Sequence, residues 1–407
     1  MLTIIFVILI GGFIFEAILD YLNIKNWSPE VPVVMKDVFS DEKYKIARNY
    51  SMVNYRLSTL SSFFSLCIMF IALAAGLFGK LDEYARSVTN SPTAIALLFF
   101  GIIGIVSDLL SLPFSLYKTF VIEEKYGFNK TTILTFLTDK LKGYLVAIIV
   151  GGIVLSILVK VFEVTGNNFW WIAWIFLTTI MLLATIFYAS WILPIFNKLI
   201  PLPEGELRQA IEAYSKNNNF PLKNIFVMDG SKRSSKANAF FSGLGKRKKI
   251  VLYDTLINNH TKEELVAVLA HETGHFKLKH TRTGFMAGIV QTGIMLFVFS
   301  LIQGNPALIE ALHANVSGLH LELLAFGFLY TPVSAITGIF MHFISRKNEF
   351  EADAFAKKTY NGIFLVNALK KLSADGLSNL TPHPAYVFVH YSHPPLLERI
   401  KNLELSI

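Results

Sequence analysis

The sequence predicts an α-helical polytopic membrane protein with seven transmembrane helices and one small α+β unit set between them. Three observations carry this reading. Of 407 residues, 53% are hydrophobic and only 16% charged, the balance of a chain that dissolves in lipid rather than water. Seven apolar stretches reach the roughly 20 residues that a helix needs to cross a hydrocarbon core. One block between the fifth and sixth stretches instead shows short β-branched and aromatic runs broken by turn residues.

The stretches lie near residues 2 to 22, 60 to 79, 93 to 117, 143 to 164, 170 to 196, 283 to 303 and 322 to 344. The first lacks a basic leader and an A-x-A-like cleavage site, and Glu16 and Asp20 interrupt it, so it reads as a retained helix rather than a signal peptide. The chain then divides into 1–196 (five spans), 197–282 (the α+β block), 283–344 (two spans) and 345–407 (a tail).

Loop charge sets the expected orientation. Lys25, Lys36, Lys43, Lys45, Arg48 and Arg56 separate the first two spans, and Lys118, Lys125, Lys130, Lys140 and Lys142 separate the third from the fourth. Alternate loops carry only Lys80 and Arg86 before a stretch with none, which puts the basic loops, residues 197–282 and the tail on the cytoplasmic side. The net charge of +8 is then accounted for by lysines that meet anionic headgroups of the bilayer, and no nucleic-acid partner is expected. The single cysteine, Cys67, excludes a disulfide framework and a thiolate metal cage. Glu16, Asp20 and Asp108 fall inside spans, where a charge costs about 2.5 to 3.5 kcal/mol, so each is expected to face water or to pair with a basic partner.

Within the central block, Gly205 to Asn217 reads as an amphipathic helix. Ile225 to Met228, Ala237 to Phe241 and Lys249 to Tyr253 read as strands, separated by turns rich in Gly, Ser and Lys. Asn238-Ala239-Phe240 is the candidate edge that would hold an extended peptide by main-chain hydrogen bonds. Thr261 and Glu264 form a capping box, so the next helix starts near Lys262 and is expected to run past Leu278 toward His280.

That helix contains His271-Glu272-Thr273-Gly274-His275, an H-E-x-x-H arrangement. Residues four apart share a helix face, so both imidazoles can converge on one cation, with Glu272 beside the first. Zinc held there would polarise water and a scissile carbonyl, while Glu272 takes the proton and returns it to the leaving amine. A catalytic zinc usually has a third protein ligand. Glu349 and Glu351 both lie beyond the last span but point about 200° apart on a helix, and Glu349 shares its face with Asp353, a carboxylate suited to anchoring a ligand histidine. His280 lies about 140° around from His275 and is a poor ligand candidate. His383, His390 and His393 in the tail are equal candidates for assisting the developing oxyanion.

These residues together resemble the seven-span integral-membrane zinc CAAX prenyl proteases (type I). The resemblance runs through Glu123–Asn129, Asp229–Ser235 with Asn238–Phe241, Ile250–Leu256, His271–Thr281, Ser345–Phe355 and Ser392–Arg399. It implies one Zn²⁺ per chain held by His271, His275 and Glu349, with Glu272 as base, Asp353 behind a ligand, Asn238 and its strand on the substrate backbone, and His393 as the tail histidine at the reaction centre. It also implies seven helices enclosing a large water-filled chamber capped by a zincin-type protease domain. The substrate so implied is a protein ending in a prenylated CAAX sequence, processed in the endoplasmic reticulum of a eukaryote or the inner membrane of a bacterium. Glu351 stands where glutamine is common in that family. A membrane quality-control zinc protease is the neighbouring reading, although such enzymes normally have fewer spans. A metal-binding transporter or channel is the reading from another class, and it gives Glu272 no task.

Overall fold

The computed structural model describes residues 1–220, 225–242 and 249–405. The turn expected between the second and third strands of the central block falls at 243–248, outside the described residues.

The membrane part begins with α1 (Leu2–Lys25), α2 (Asp41–Ala74), a short α3 (Leu77–Val88) and α4 (Pro92–Tyr117). The second span ends at Ala74 rather than near 79, because Gly76 takes φ +63°, a left-handed conformation that redirects the chain into α3. Next, α5 (Ile133–Val146) leads through a wider-wound stretch (Ala147–Gly151) into α6 (Gly152–Thr165). A turn at Gly166–Asn168 reverses the chain into α7 (Phe169–Phe187), and Phe162 packs edge-on against Phe169 across it, ring centres 5.3 Å apart. The long helical run from Ile133 to Phe196, which ends in α8 (Leu193–Phe196), therefore crosses twice.

The α+β unit opens with β1 (Leu199–Pro201), absent from the sequence reading, and α9 (Glu206–Asn217). β2 (Ile225–Met228), β3 (Ala239–Ser242) and β4 (Lys249–Tyr253) complete a four-stranded sheet of order β1-β2-β4-β3, with β2 and β4 parallel and the outer pairs antiparallel. The strand expected from Ala237 starts two residues later, at Ala239, and lies at the sheet's edge. A short α10 (Asp254–Asn259) precedes α11 (Lys262–Lys277), whose Thr261–Glu264 capping box is formed in both directions.

Contrary to expectation, α11 stops at Lys277. Lys279 adopts φ +64°, and α12 (His280–Ile302) starts in a new direction as the sixth span. After α13 (Pro306–Glu310), α14 (Leu319–Thr359) runs 41 residues without a break, about 60 Å at 1.5 Å per residue, twice a hydrocarbon core. Its first half is the seventh span and its second half enters the α+β unit. α15 (Gly362–Asp375), α16 (Pro384–His390) and α17 (Leu396–Leu405) close the chain around α14. One core unites this unit: Leu265, Val266 and Leu269 of α11 meet Leu365 of α15 and Ile400 of α17, together with Met35 and Phe39 from the loop after α1.

Two of the span carboxylates, neither of them buried, have basic partners. Lys140 donates to Asp108 at 2.6 and 2.7 Å, and His390 Nε2 lies 3.0 Å from Glu16.

Candidate metal centre

Two helices build the site. α11 presents His271 and His275 one turn apart, and α14 crosses it closely enough that a Cβ on Gly274 would stand 3.0 Å from Ala352 Cα and 3.1 Å from its carbonyl oxygen. Glycine leaves room for that approach, where even a methyl would be tight against backbone, and the approach brings Glu349 to the two imidazoles. His275 Nε2 is 3.2 Å from His271 Nε2 and 3.2 Å from Glu349 Oε1, and His271 Nε2 is 3.5 Å from Glu349 Oε2. These separations are close to the edges of a tetrahedron around zinc, about 3.3–3.6 Å for bonds of about 2.0–2.2 Å. Glu349 Oε2 is buried and accepts no hydrogen bond from any described residue, a state that a cation would relieve. The nitrogen and oxygen donors thus fit a divalent metal of zinc's kind, and theirs is the one such cluster among the described residues.

Asp353, fully buried, lies 2.8 Å from His271 Nδ1, the ring nitrogen facing away from the cluster. Sequence reasoning missed its partner. Arg399 of α17 donates to both Asp353 oxygens at 2.8 and 2.7 Å, and its Nη1 lies 3.4 Å from Glu349 Oε2. A signal existed: Leu396, Ile400 and Leu403 recur at helical spacing, and Arg399 falls within that apolar stripe, where a charge requires a buried partner.

Electrostatics follow from burial and these bonds. Burial would raise the carboxyls of Asp353 and Glu349, but bonds from Arg399 and His271 to the former, and from His271 and His275 to the latter, hold both below their usual range. Burial disfavours charge on His271, yet its bond to Asp353 and the nearby Glu349 carboxylate outweigh that and raise it to about 9. Burial pushes Glu272 up, with the Glu349 charge adding and the two histidines opposing.

A cavity of about 690 Å³ opens beside the cluster, lined by Glu272, His275, Phe240, Tyr188, Met341 and Asn348 among others. Phe240 of the edge strand therefore reaches the site. Ala239 does not: strand alternation turns it to the opposite face, where it packs on the core. Asn238, exposed, accepts from the Tyr253 amide at 3.0 Å and lies on the Phe240 face by alternation.

The tail histidines separate cleanly. His383 accepts from the Ala385 amide at the start of α16, His390 meets Glu16, and His393 places Nε2 3.4 Å from Glu349 Oε1 while remaining 64% exposed. His280 is no ligand, since its two ring nitrogens face His275 and Glu351. Glu351 accordingly lies outside the cluster.

Comparison with known proteins gives the family. A family model described as CAAX prenyl protease N-terminal, five membrane helices, matches residues 20–198, and one described as peptidase family M48 matches residues 201–406. CAAX prenyl protease 1 of Saccharomyces cerevisiae is 35% identical, over 97% of this chain and 93% of that protein. The CAAX prenyl protease 1 homolog of Homo sapiens is 33% identical, over 94% and 90%. The crystal structure of S. mikatae Ste24p aligns with a TM-score of 0.93 at 34% identity, over 99% of both chains. Matched over half its length by the peptidase model and over nearly all of it by these relatives, the chain belongs to peptidase family M48 and is a membrane-embedded metallopeptidase.

Proposed function

We propose that the chain is a zinc endopeptidase that removes the C-terminal tripeptide following a prenylated cysteine, with residues 197–282 and 345–407 forming its catalytic unit. One observation carries the reading: His271, His275 and Glu349 converge at the edge of a cavity lined by Glu272, beneath helices long and apolar enough to cross a membrane. The names of the relatives support the substrate class. The lysine-rich loops support a cytoplasmic site, in the endoplasmic reticulum for a eukaryotic host or the inner membrane for a bacterial one.

A bound zinc ion supplies Lewis acidity to water and to the scissile carbonyl. Everything else is the work of side chains. Glu272 takes the proton of the attacking water and passes it to the leaving amine. His393 donates to the carbonyl oxygen as charge develops there. The free edge of β3, from Asn238 to Phe240, pairs with the substrate backbone and so aligns the bond with the metal. Asp353, clamped by Arg399, holds His271 in the tautomer whose Nε2 is free to ligate.

Glu272→Gln tests the mechanism. The variant is expected to keep its zinc while cleavage falls by about 10²–10⁴-fold, and retained activity in zinc-loaded protein would sink it. A prenylated CAAX peptide assayed against an unfolded membrane protein tests the substrate, with preference for the unfolded protein favouring a quality-control role.

A further inference from the structure

We infer that His280 and Glu351 are positioning residues for the metal ligand His275, forming a hydrogen-bonded chain from that ligand to the edge of the unit. The inference rests on the zinc reading above.

The protons can be assigned by elimination. His275 Nε2 faces His271 and Glu349 and must present a lone pair to a cation, so the ring's proton resides on Nδ1. That Nδ1 lies 3.1 Å from His280 Nδ1. Two nitrogens at this distance need one donor and one acceptor, so His280 Nδ1 accepts and its own proton sits on Nε2. His280 Nε2 in turn lies 3.0 Å from Glu351 Oε2, a carboxylate that can only accept. A single arrangement of protons satisfies all three contacts, and it leaves His275 in the ligating tautomer. Losing the acceptor at Glu351 frees His280 to flip its proton to Nδ1, where it opposes the proton on His275.

The backbone is arranged for this contact. On an unbroken helix His280 would project about 140° away from His275. The left-handed Lys279 ends that course and starts α12, and the rings then meet with centroids 5.2 Å apart. His280 is buried, whereas Glu351 is half-exposed with Lys347 at 3.9 Å. α14 therefore supplies both Glu349, beside His275, and Glu351, the outer acceptor for His280. The two histidine ligands differ in support: His271 leans on a buried carboxylate locked by arginine, His275 on an imidazole whose anchor reaches the surface.

The test is zinc affinity of the full-length protein in detergent, measured by competition with a chromophoric chelator. His280→Ala and Glu351→Leu are expected to raise the zinc Kd by about 10–100-fold, and Glu351→Gln, whose amide oxygen accepts the same bond, to leave it within about threefold. The graded pair at position 351 separates positioning from bulk folding, since both variants alter a half-exposed site of similar size. Equal affinities for Glu351→Leu and wild type overturn the inference, as does an equal loss in Glu351→Leu and Glu351→Gln. A wild type whose zinc affinity is indifferent to His271→Ala instead overturns the metal reading itself.

Discussion

At the scale of single residues, the site is a set of charges that cannot be removed one at a time. Arg399→Leu leaves the buried Asp353 with only the His271 imidazole as partner, and a loss of up to about 3–5 kcal/mol is expected, read as a lowered unfolding midpoint in detergent. A second buried pair lies at the far end of the molecule, where His320 Nε2 stands 2.7 Å from Asp82 and Arg86 donates to the same carboxylate at 2.8 and 3.0 Å. Burial would raise Asp82, but the bonds from His320 and Arg86 lower it below the ordinary 3.8. A carboxyl lowered in the folded state contributes stability above its unfolded value and loses it as pH falls through the folded one. Asp82→Asn is thus expected to destabilise the protein at neutral pH and to lose that deficit below about pH 4, seen by comparing unfolding midpoints across that range. The convergence of His271, His275 and Glu349 was legible because spacing along a helix sets which side chains share a face. Arg399 was not, because its meaning depends on Asp353, 46 residues away. The tail histidines were indistinguishable until α16 used two of them structurally.

Among elements, α11 and its crossing with α14 decide whether the ligands meet. Gly274→Leu is expected to push the helices apart and abolish zinc binding, because its Cβ would press on Ala352 backbone rather than on a side chain that can yield. Thr261→Ala, which removes only the cap, is expected to cost about 1 kcal/mol of stability with zinc affinity unchanged. Together the two variants separate helix formation from helix packing. The start of α11 was legible from its capping box. Its end was not: left-handed breaks are usually marked by glycine or asparagine, and here a lysine makes one. β1 escaped notice because three residues with a proline carry no alternation to read.

For the whole molecule, the seven spans follow from apolar length alone, whereas the arrangement around the catalytic unit depends on packing that no hydropathy window records. The sequence suggested a span and then a separate ligand-bearing helix, but α14 is both. Phe343→Pro, near the end of the seventh span at an exposed position of α14, is expected to break the helix at a cost of about 3 kcal/mol or more, with zinc lost while membrane insertion persists. Equilibrium dialysis of the purified variant checks the first, and carbonate extraction the second.

The continuity of α14 also has a bearing on biosynthesis. His271 and His275 are synthesised first, and α12 and the apolar half of α14 precede Glu349 in the chain, so its carboxylate joins the two histidines only after both of those elements have been made. Unfinished chains are therefore expected to be inert towards neighbouring nascent proteins, a safeguard written into gene order. Ribosome-bound chains truncated before Glu349 that nonetheless cleave would contradict it.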